Sequence, residues 1–180
     1  MILLLTCTLL FAPSTDAPPE HVQKYLQRCE AAKAAVITTK EAEFKTLSGE
    51  KLKQATAELA KFKAASAPFL HLPLPPQKGE LGTFATAEEL PGGKSVVVLE
   101  VVDKDNAIVR AWYLPAESAE PTFIDLWIQG IDTSSLAANA SAKLPQVFQV
   151  TGNKLIDTTC GKRSFPLLEP VEVERIGAKQ

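Results

Sequence analysis

The chain has few of the residues that most often build catalytic and metal centres. Its 180 residues include only three cysteines and two histidines. Three cysteines are too few for a disulfide-dense scaffold, and without a Cys-x-x-Cys pair the sequence lacks a common zinc-ligand spacing. His21 and His71 stand far apart, in different sequence contexts, which argues against Ser-His-Asp chemistry. We therefore expect no catalytic residue, no metal and no cofactor.

The chain also lacks an apolar run long enough to cross a bilayer, which takes about 20 residues. The run from Ile2 to Ala12 is shorter, and small and polar residues follow it. This pattern is typical of a signal peptide, so we predict a signal over residues 1–17 and export to the periplasm or the extracellular space. The missing basic residue before the run and Pro18 after it fit poorly, and an N-terminal core strand or helix is the alternative. No transmembrane segment is expected in the mature chain.

The net charge of −2 hides an asymmetry between two parts of the chain. From Pro18 to Gly79 ten Lys and Arg stand against six Asp and Glu, a charge of +4. From Glu80 to Ile176 eight stand against fourteen, a charge of −6. Because nucleic-acid binding depends on positive charge, we expect no nucleic-acid partner for the acidic part. Charge alone does not identify another ligand or protein partner.

Residues 18–65 are predicted to form a helical arm. Apolar residues recur at spacings of three and four from Val22 onward, and proline precedes the pattern where a first helical turn tolerates it. Ser48 and Gly49 mark a break, after which the helical spacing resumes. An antiparallel helix pair and one long interrupted helix both fit. The apolar stripe is thin, so the arm needs a partner surface.

Residues 66–79 are predicted to be a proline-rich linker, since their prolines oppose helix formation. The linker is either a ligand for an aromatic groove or a spacer whose Phe69 and Leu72 pack on the following domain. Residues 80–176 contain short β-branched segments separated by turn residues, such as the hairpin turn Asp103–Asn106. The last three predicted strands are Pro145–Thr151, Leu155–Cys160 and Ser164–Glu169, with a turn at Gly152–Asn153 between the first two. We therefore predict an α+β fold: the helical arm followed by a small antiparallel β-barrel, OB-like or SH3-like.

One predicted strand, Thr122 to Gln129, indicates a candidate binding surface. Its alternation places Ile124, Leu126 and Ile128 toward the core and the intervening residues on the other face. The candidate ligand-binding residues on that outer face are Arg110, Trp112, Phe123 and Trp127. Aromatic rings beside charged groups can form a stacking platform for a sugar, a base or a peptide. The alternative is that the helical arm covers this face.

Asp132 and Asp157 are the candidates for an enzymatic alternative, a small hydrolase. Each precedes a threonine, as in the active-site turns of aspartic proteases, but neither threonine is followed by glycine. The two aspartates are also too close in sequence to come from two lobes. A turn cap is the simpler role for Asp132, since its carboxylate can accept a hydrogen bond from the amide of Ser134 or Ser135.

Cys29 and Cys160 are the cysteines that remain after removal of the predicted signal. They would join arm to barrel in an oxidising compartment, or they are two free, buried thiols. The sequence leaves both possibilities open.

Four stretches in the second half of the chain carry a resemblance: Gly130–Ser134, Pro145–Gly152, Thr158–Gly161 and Leu167–Pro170. With them the chain resembles a group of uncharacterised exported bacterial proteins of planctomycete type. The resemblance implies a signal, an Ala/Lys/Glu-rich helix, a proline linker and a small β domain, and it implies no activity and no site residue. From the residues themselves we predict an exported binding or scaffolding module rather than an enzyme. The other alternative is a structural protein that oligomerises through its helical arm.

Overall fold

The computed structural model describes residues 18–86, 88–90, 96–115, 118, 120–158 and 161–173. Within these ranges the chain forms two helices and then six strands. The helices are α1 (Glu20–Phe44) and α2 (Gly49–Ala64), and the strands are β1 (Leu81–Gly82), β2 (Val96–Val101), β3 (Asn106–Tyr113), β4 (Thr122–Gln129), β5 (Val147–Thr158) and β6 (Gly161–Val171). The predicted α+β class is confirmed.

The helical arm consists of two separate helices that contact each other, with the break where Ser48 and Gly49 predict it. Lys33 of α1 fixes the end of α2, because its ammonium group donates to the carbonyls of Lys63 (2.9 Å) and Ala65 (2.5 Å). A cation at this position satisfies carbonyls that have no partner within the helix and complements the helix dipole. An ion pair between Lys63 and Glu41, at 2.6 Å, links the helices a second time.

The six strands form one mixed sheet in the order β1-β5-β6-β4-β3-β2. Neighbouring strands are antiparallel except β4 and β6, which run parallel through the pairs Trp127–Leu167 and Ile128–Leu168. The prediction of a purely antiparallel arrangement is therefore wrong at this pair, since β5 carries the chain back before β6 joins β4. The sheet is not closed, so a barrel is not shown.

β5 and β6 form a long hairpin where the sequence predicts three shorter strands. Gly152 and Asn153 were expected to form a turn, but they lie inside β5, next to a shift in register between Val150 and Gly152. An isolated glycine within a strand often marks such a bulge rather than the end of a strand. The turn expectation is therefore wrong, and β5 continues to Thr158.

The proline-rich segment lies along the edge of the sheet and does not form a free spacer. The amide of Leu72 donates to the carbonyl of Thr83 at 2.8 Å, and the amide of Thr83 donates to the carbonyl of Leu70 at 3.0 Å. Leu72 is buried in the core and Phe69 packs against α1 residues, as the second alternative for this segment expects. Gly82 makes this approach possible, because a Cβ there would overlap the backbone of Leu72.

The two faces of the sheet pack against different partners. The inner face encloses the main core, which includes Val98, Val109, Leu126, Ile128, Phe148 and Leu168, all nearly or fully buried. On the outer face, Val147 and Val171 pack with Leu81 and with Val22 and Tyr25 of α1. The predicted inward direction of Leu126 and Ile128 is confirmed.

Candidate functional site

The candidate site lies on the outer face of the sheet, across strands β3, β4 and β6. Alternation on β3 and β4 places Arg110, Trp112, Phe123 and Asp125 on this face, and antiparallel pairing sets Arg110 opposite Asp125 and Trp112 opposite Phe123. Arg163 of β6 contacts Asp125 from the other side. We call these five residues the aromatic–guanidinium patch.

Asp125 forms the centre of the patch by holding both guanidinium groups. Its Oδ1 accepts from Arg110 Nε at 2.8 Å, and its Oδ2 accepts from Arg110 Nη2 at 3.1 Å and from Arg163 Nη2 at 3.2 Å. Burial raises the pKa of Asp125, but the hydrogen bonds and charges of Arg110 and Arg163 lower it by more, so this pKa lies below its usual value. The carboxylate therefore stays ionised and fixes two planar donor groups in position.

Phe123 forms the apolar part of the patch and contacts both a guanidinium group and an aromatic ring. The guanidinium carbon of Arg110 lies 3.9 Å from the ring centroid of Phe123, within the range of a cation–π contact. The ring of Trp112 lies 5.2 Å away in a tilted arrangement, an aromatic pair at ordinary spacing. Phe123 remains 46% exposed and the Arg163 side chain 56% exposed, so a ligand could reach both.

Trp127, the fourth residue predicted to bind a ligand, lies on the same face but is buried. Only 7% of it is exposed, with the ammonium of Lys154 5.3 Å from the centroid of its ring and its Nε1 donating to Asn106 Oδ1 at 3.3 Å. Its neighbours in register are Ile108 and Leu167. The structure thus brings Arg110, Trp112 and Phe123 together at the surface and places Trp127 beneath Lys154.

The helical arm covers the other end of the outer face. The buried residues of α1 pack with Val147 and Val171, whereas Arg163 lies eight residues before Val171 on β6, about 26 Å along an extended strand. The two sequence alternatives, arm cover and exposed platform, therefore apply to different ends of one surface. Tyr25 anchors the arm, donating to the carbonyl of Leu70 at 2.8 Å, and burial raises its pKa.

The charge of the patch differs in sign from that of its domain. Arg110 and Arg163 both contact the carboxylate of Asp125, and Lys154 lies over Trp127 on the same face, although residues 80–176 carry −6 in total. Alternation places Glu100 and Glu169 on the same face, beside Ile108 and Gln149 in register and away from Phe123. One end of the outer face is therefore locally cationic.

A cavity that the sequence does not predict adjoins the patch at Trp112. It has a volume of about 180 Å³, and its lining includes His71, Thr83, Phe84, Tyr113 and Leu114. His71 Nδ1 lies 3.2 Å from Thr83 Oγ1, and His71 Nε2 lies 3.2 Å from Glu89 Oε1. Sequence reasoning missed this group because it treated His71 as part of a linker, whereas the edge pairing brings it next to β1.

The two aspartates of the hydrolase alternative lie at opposite ends of β6. Asp157 pairs in register with Lys162, whereas Asp132 follows β4 in a groove that Pro170 also lines. About 26 Å of extended strand separates Lys162 from Pro170, so Asp132 and Asp157 cannot share a proton. Asp132 instead accepts from the amide of Ser134 at 2.9 Å, which lowers the pKa of Asp132, as expected for a turn cap.

Cys29 is a free, buried thiol, and Cys160 lies outside the described residues. The predicted signal at 1–17 also lies outside them. Within the described ranges, no three His, Cys, Asp or Glu side chains cluster as metal ligands, and neither helix is both long and apolar enough to span a membrane.

Comparison with known proteins adds no assignment to this geometry. No family model, curated protein or solved structure matches the chain.

Proposed function

We propose that this protein is a binding module that holds an anionic partner on the aromatic–guanidinium patch. The observation that carries the proposal is that Asp125 holds the exposed guanidinium of Arg163 next to Arg110, in a domain of opposite net charge. The guanidinium of Arg110 in turn lies over the exposed ring of Phe123. Guanidinium groups bind carboxylates and phosphates through two parallel hydrogen bonds, and an adjacent ring adds apolar contact area. A fixed cationic surface of this kind suits recognition, because its side chains are already oriented before a partner arrives.

The ion pairs with Asp125 support this proposal. Arg110 donates two hydrogen bonds to Asp125 and Arg163 donates one. Within the part of the chain that the structure describes, Arg163 therefore keeps most of its five N–H donors for a partner. Asp125 is mostly buried and anchors both side chains from below. Because the guanidinium groups are already ordered, less conformational entropy is lost on binding.

Titration of the full chain with two polyanions of different chemistry, polyglutamate and an oligouronate, tests the proposal. Binding is followed by the fluorescence of Trp112 and Trp127. We expect at least one polyanion to bind, with affinity that falls as salt is added. Arg163→Gln should weaken this binding, whereas Lys104→Gln should not, since Lys104 is an exposed cation at the β2–β3 turn. No binding of either polyanion, or equal losses in the two variants, would overturn the proposal.

Export of the protein, and its place among the exported bacterial proteins that it resembles, are part of the proposal. The run from Ile2 to Ala12 supports export. Mass spectrometry of the protein from its native host tests this point. A mature N-terminus near residue 18 is expected, and a chain that retains Met1 in the cytosol would contradict export.

A small OB-like or SH3-like barrel is the finer fold that we propose for the β domain. Both edges of the sheet carry additional backbone pairing, at His71–Thr83 beside β1 and at Val97–Ser141 beside β2. Leu72 and Ala142, from these two edges, belong to one core cluster. The curvature that brings them together supports a partly open barrel. An experimental structure in which strand pairing runs continuously around the sheet would establish it, and a flat sheet would exclude it.

A further inference from the structure

The cavity beside Trp112 differs chemically from the aromatic–guanidinium patch that it adjoins. Its lining is largely hydrocarbon and aromatic, and it includes Leu72, Leu74, Phe84, Leu90, Trp112 and Leu114. His71 and Thr83 supply polar atoms on one side. A cavity of about 150 Å³ with apolar walls holds a benzene molecule. The cavity here, about 180 Å³, therefore has room for one large apolar side chain.

Trp112 joins the cavity to the patch. Trp112 lines the cavity, and its ring packs against Phe123 at 5.2 Å between centroids. Arg110 lies two residues before Trp112 on the same face of β3, which is about 7 Å along the strand. Arg163 lies on β6, two strands away from Trp112 on β3, which is about 10 Å across the sheet. The apolar cavity and the cationic groups therefore meet at Trp112, and we treat the two together as one candidate surface.

We infer that this surface binds an acidic peptide segment with one large apolar side chain, the cavity taking that side chain and Arg163 and Arg110 taking the carboxylates. An extended peptide advances about 3.3 Å per residue, so the acidic residues lie about two to four positions from the apolar one. This inference rests on the proposed function and specifies the chemistry of the partner.

The composition of the surface favours a peptide over other polyanions. Aliphatic side chains such as Leu72, Leu74 and Leu114 form much of the cavity wall, and they suit a hydrocarbon group better than a hydroxylated sugar ring. An acidic polysaccharide offers carboxylates without such a group. A polypeptide carries both kinds of group on one chain, at the short spacing that the surface requires.

Fluorescein-labelled synthetic peptides and the full chain provide the test. The first peptide has a single phenylalanine followed by glutamates. In the second, alanine replaces the phenylalanine, and in the third, glutamines replace the glutamates. Fluorescence anisotropy gives the affinity of each. We expect the first peptide to bind about tenfold or more tightly than the second, because burial of a phenyl group is lost in the latter. The third should bind more weakly than the first, with less dependence on salt.

Variants of the protein test separately whether the cavity causes the phenylalanine preference and whether Arg163 binds the carboxylates. Ala85→Leu adds a side chain to the cavity wall and should reduce the preference for the phenylalanine peptide over the alanine peptide. Its matched control is Ala137→Leu, at an exposed alanine elsewhere in the chain. Arg163→Gln should lower the affinity for both acidic peptides about fivefold and leave the phenylalanine preference intact. Thermal melting of each variant shows whether it is folded. The comparison of the phenylalanine and alanine peptides on the wild-type chain tests the cavity without any change to the protein.

The outcomes separate this inference from the proposed function. Equal binding of the phenylalanine and alanine peptides, with loss in Arg163→Gln, would overturn the peptide inference and leave the anionic binding module in place. The same holds if the oligouronate binds and no peptide does. Failure of every polyanion and every peptide would overturn both. A phenylalanine preference that survives Ala85→Leu would overturn the assignment of the cavity.

Discussion

Arg110 and Asp125 face each other across β3 and β4, joined by two hydrogen bonds of 2.8 and 3.1 Å. Asp125→Asn removes the negative charge between Arg110 and Arg163 and leaves two guanidinium groups close together. We expect the free energy of unfolding to fall by about 1–2 kcal/mol. Urea denaturation measures it, with Asp157→Asn, at an exposed aspartate on β5, as the matched control. Equal losses in the two variants would show that the ion pair adds no stability.

The same pair predicts a pH dependence. The pKa of Asp125 is lower in the folded chain than its ordinary value of about 3.9, so its contribution to stability is present above that value. This contribution is lost as the pH falls through the lower folded pKa. The stability difference between the wild type and Asp125→Asn should stay constant from neutral pH to about pH 4 and shrink below it. A difference that grows toward acid pH would contradict this sign.

Tyr25 gives a second, opposite pH dependence. Its hydroxyl donates to the carbonyl of Leu70, and burial raises its pKa, so the neutral phenol is the form that stabilises the folded chain. Tyr25→Phe should cost about 1 kcal/mol at neutral pH. The Tyr25 contribution is present below the ordinary pKa of about 10 and is lost as the pH rises through the higher folded value. In denaturation experiments, the difference in free energy of unfolding between the wild type and Tyr25→Phe should therefore shrink at alkaline pH. A constant difference at every pH would remove Tyr25 as the cause.

Gly82 is predicted to be essential for edge pairing by the proline-rich segment. In Gly82→Ala the new methyl group would overlap the backbone of Leu72 and lie 2.6 Å from the carbonyl carbon of His71. We expect a loss of about 1–3 kcal/mol in thermal or urea unfolding, because backbone must move to make room. Gly152→Ala is the matched control, since a Cβ at Gly152 meets no atom within 4 Å. Similar effects of the two substitutions would argue that residues 70–72 do not pack here.

The burial of Trp127 is tested by acrylamide quenching in a Trp112→Phe background, where one indole remains. Quenching should be weak, since 7% of Trp127 is exposed. Lys154→Ala should increase quenching, because the Lys154 chain lies over the ring. Lys162→Ala, on the same hairpin, serves as the control. Strong quenching before any lysine is removed would show that Trp127 is an open part of the surface.

How much the sequence predicted depends on whether the determining contacts are local. The bounds of β4 and the facing of Leu126 and Ile128 follow from alternation, and the Asp103 turn follows from side-chain bonds to Asp105 and Asn106 over a few residues. Arg110, Trp112 and Phe123 could be grouped from the sequence because β3 and β4 are consecutive strands, and alternation places all three residues on the same face of that pair.

The remaining features depend on pairing between distant segments. The parallel contact of Trp127 with Leu167 leaves no signal in local periodicity, and neither does the docking of His71 beside Thr83. Prolines in the linker predict an extended chain, which is equally the shape of a free spacer and of an edge strand. Arg163 was missed for the same reason, since only the β4–β6 pairing brings it to Asp125.

The docking of residues 70–72 has a consequence for cooperativity. The segment that leaves α2 contributes Ala67 and Phe69 to the cluster around α1, and three residues later Leu72 enters the core of the sheet. Unfolding of the cluster around α1 would therefore detach residues 70–72 from the edge of the sheet. Unfolding of the sheet would in turn remove the surface against which α1 packs. Calorimetry should therefore record one unfolding transition for the arm and the sheet together. A partner that binds either part then raises the melting temperature of both.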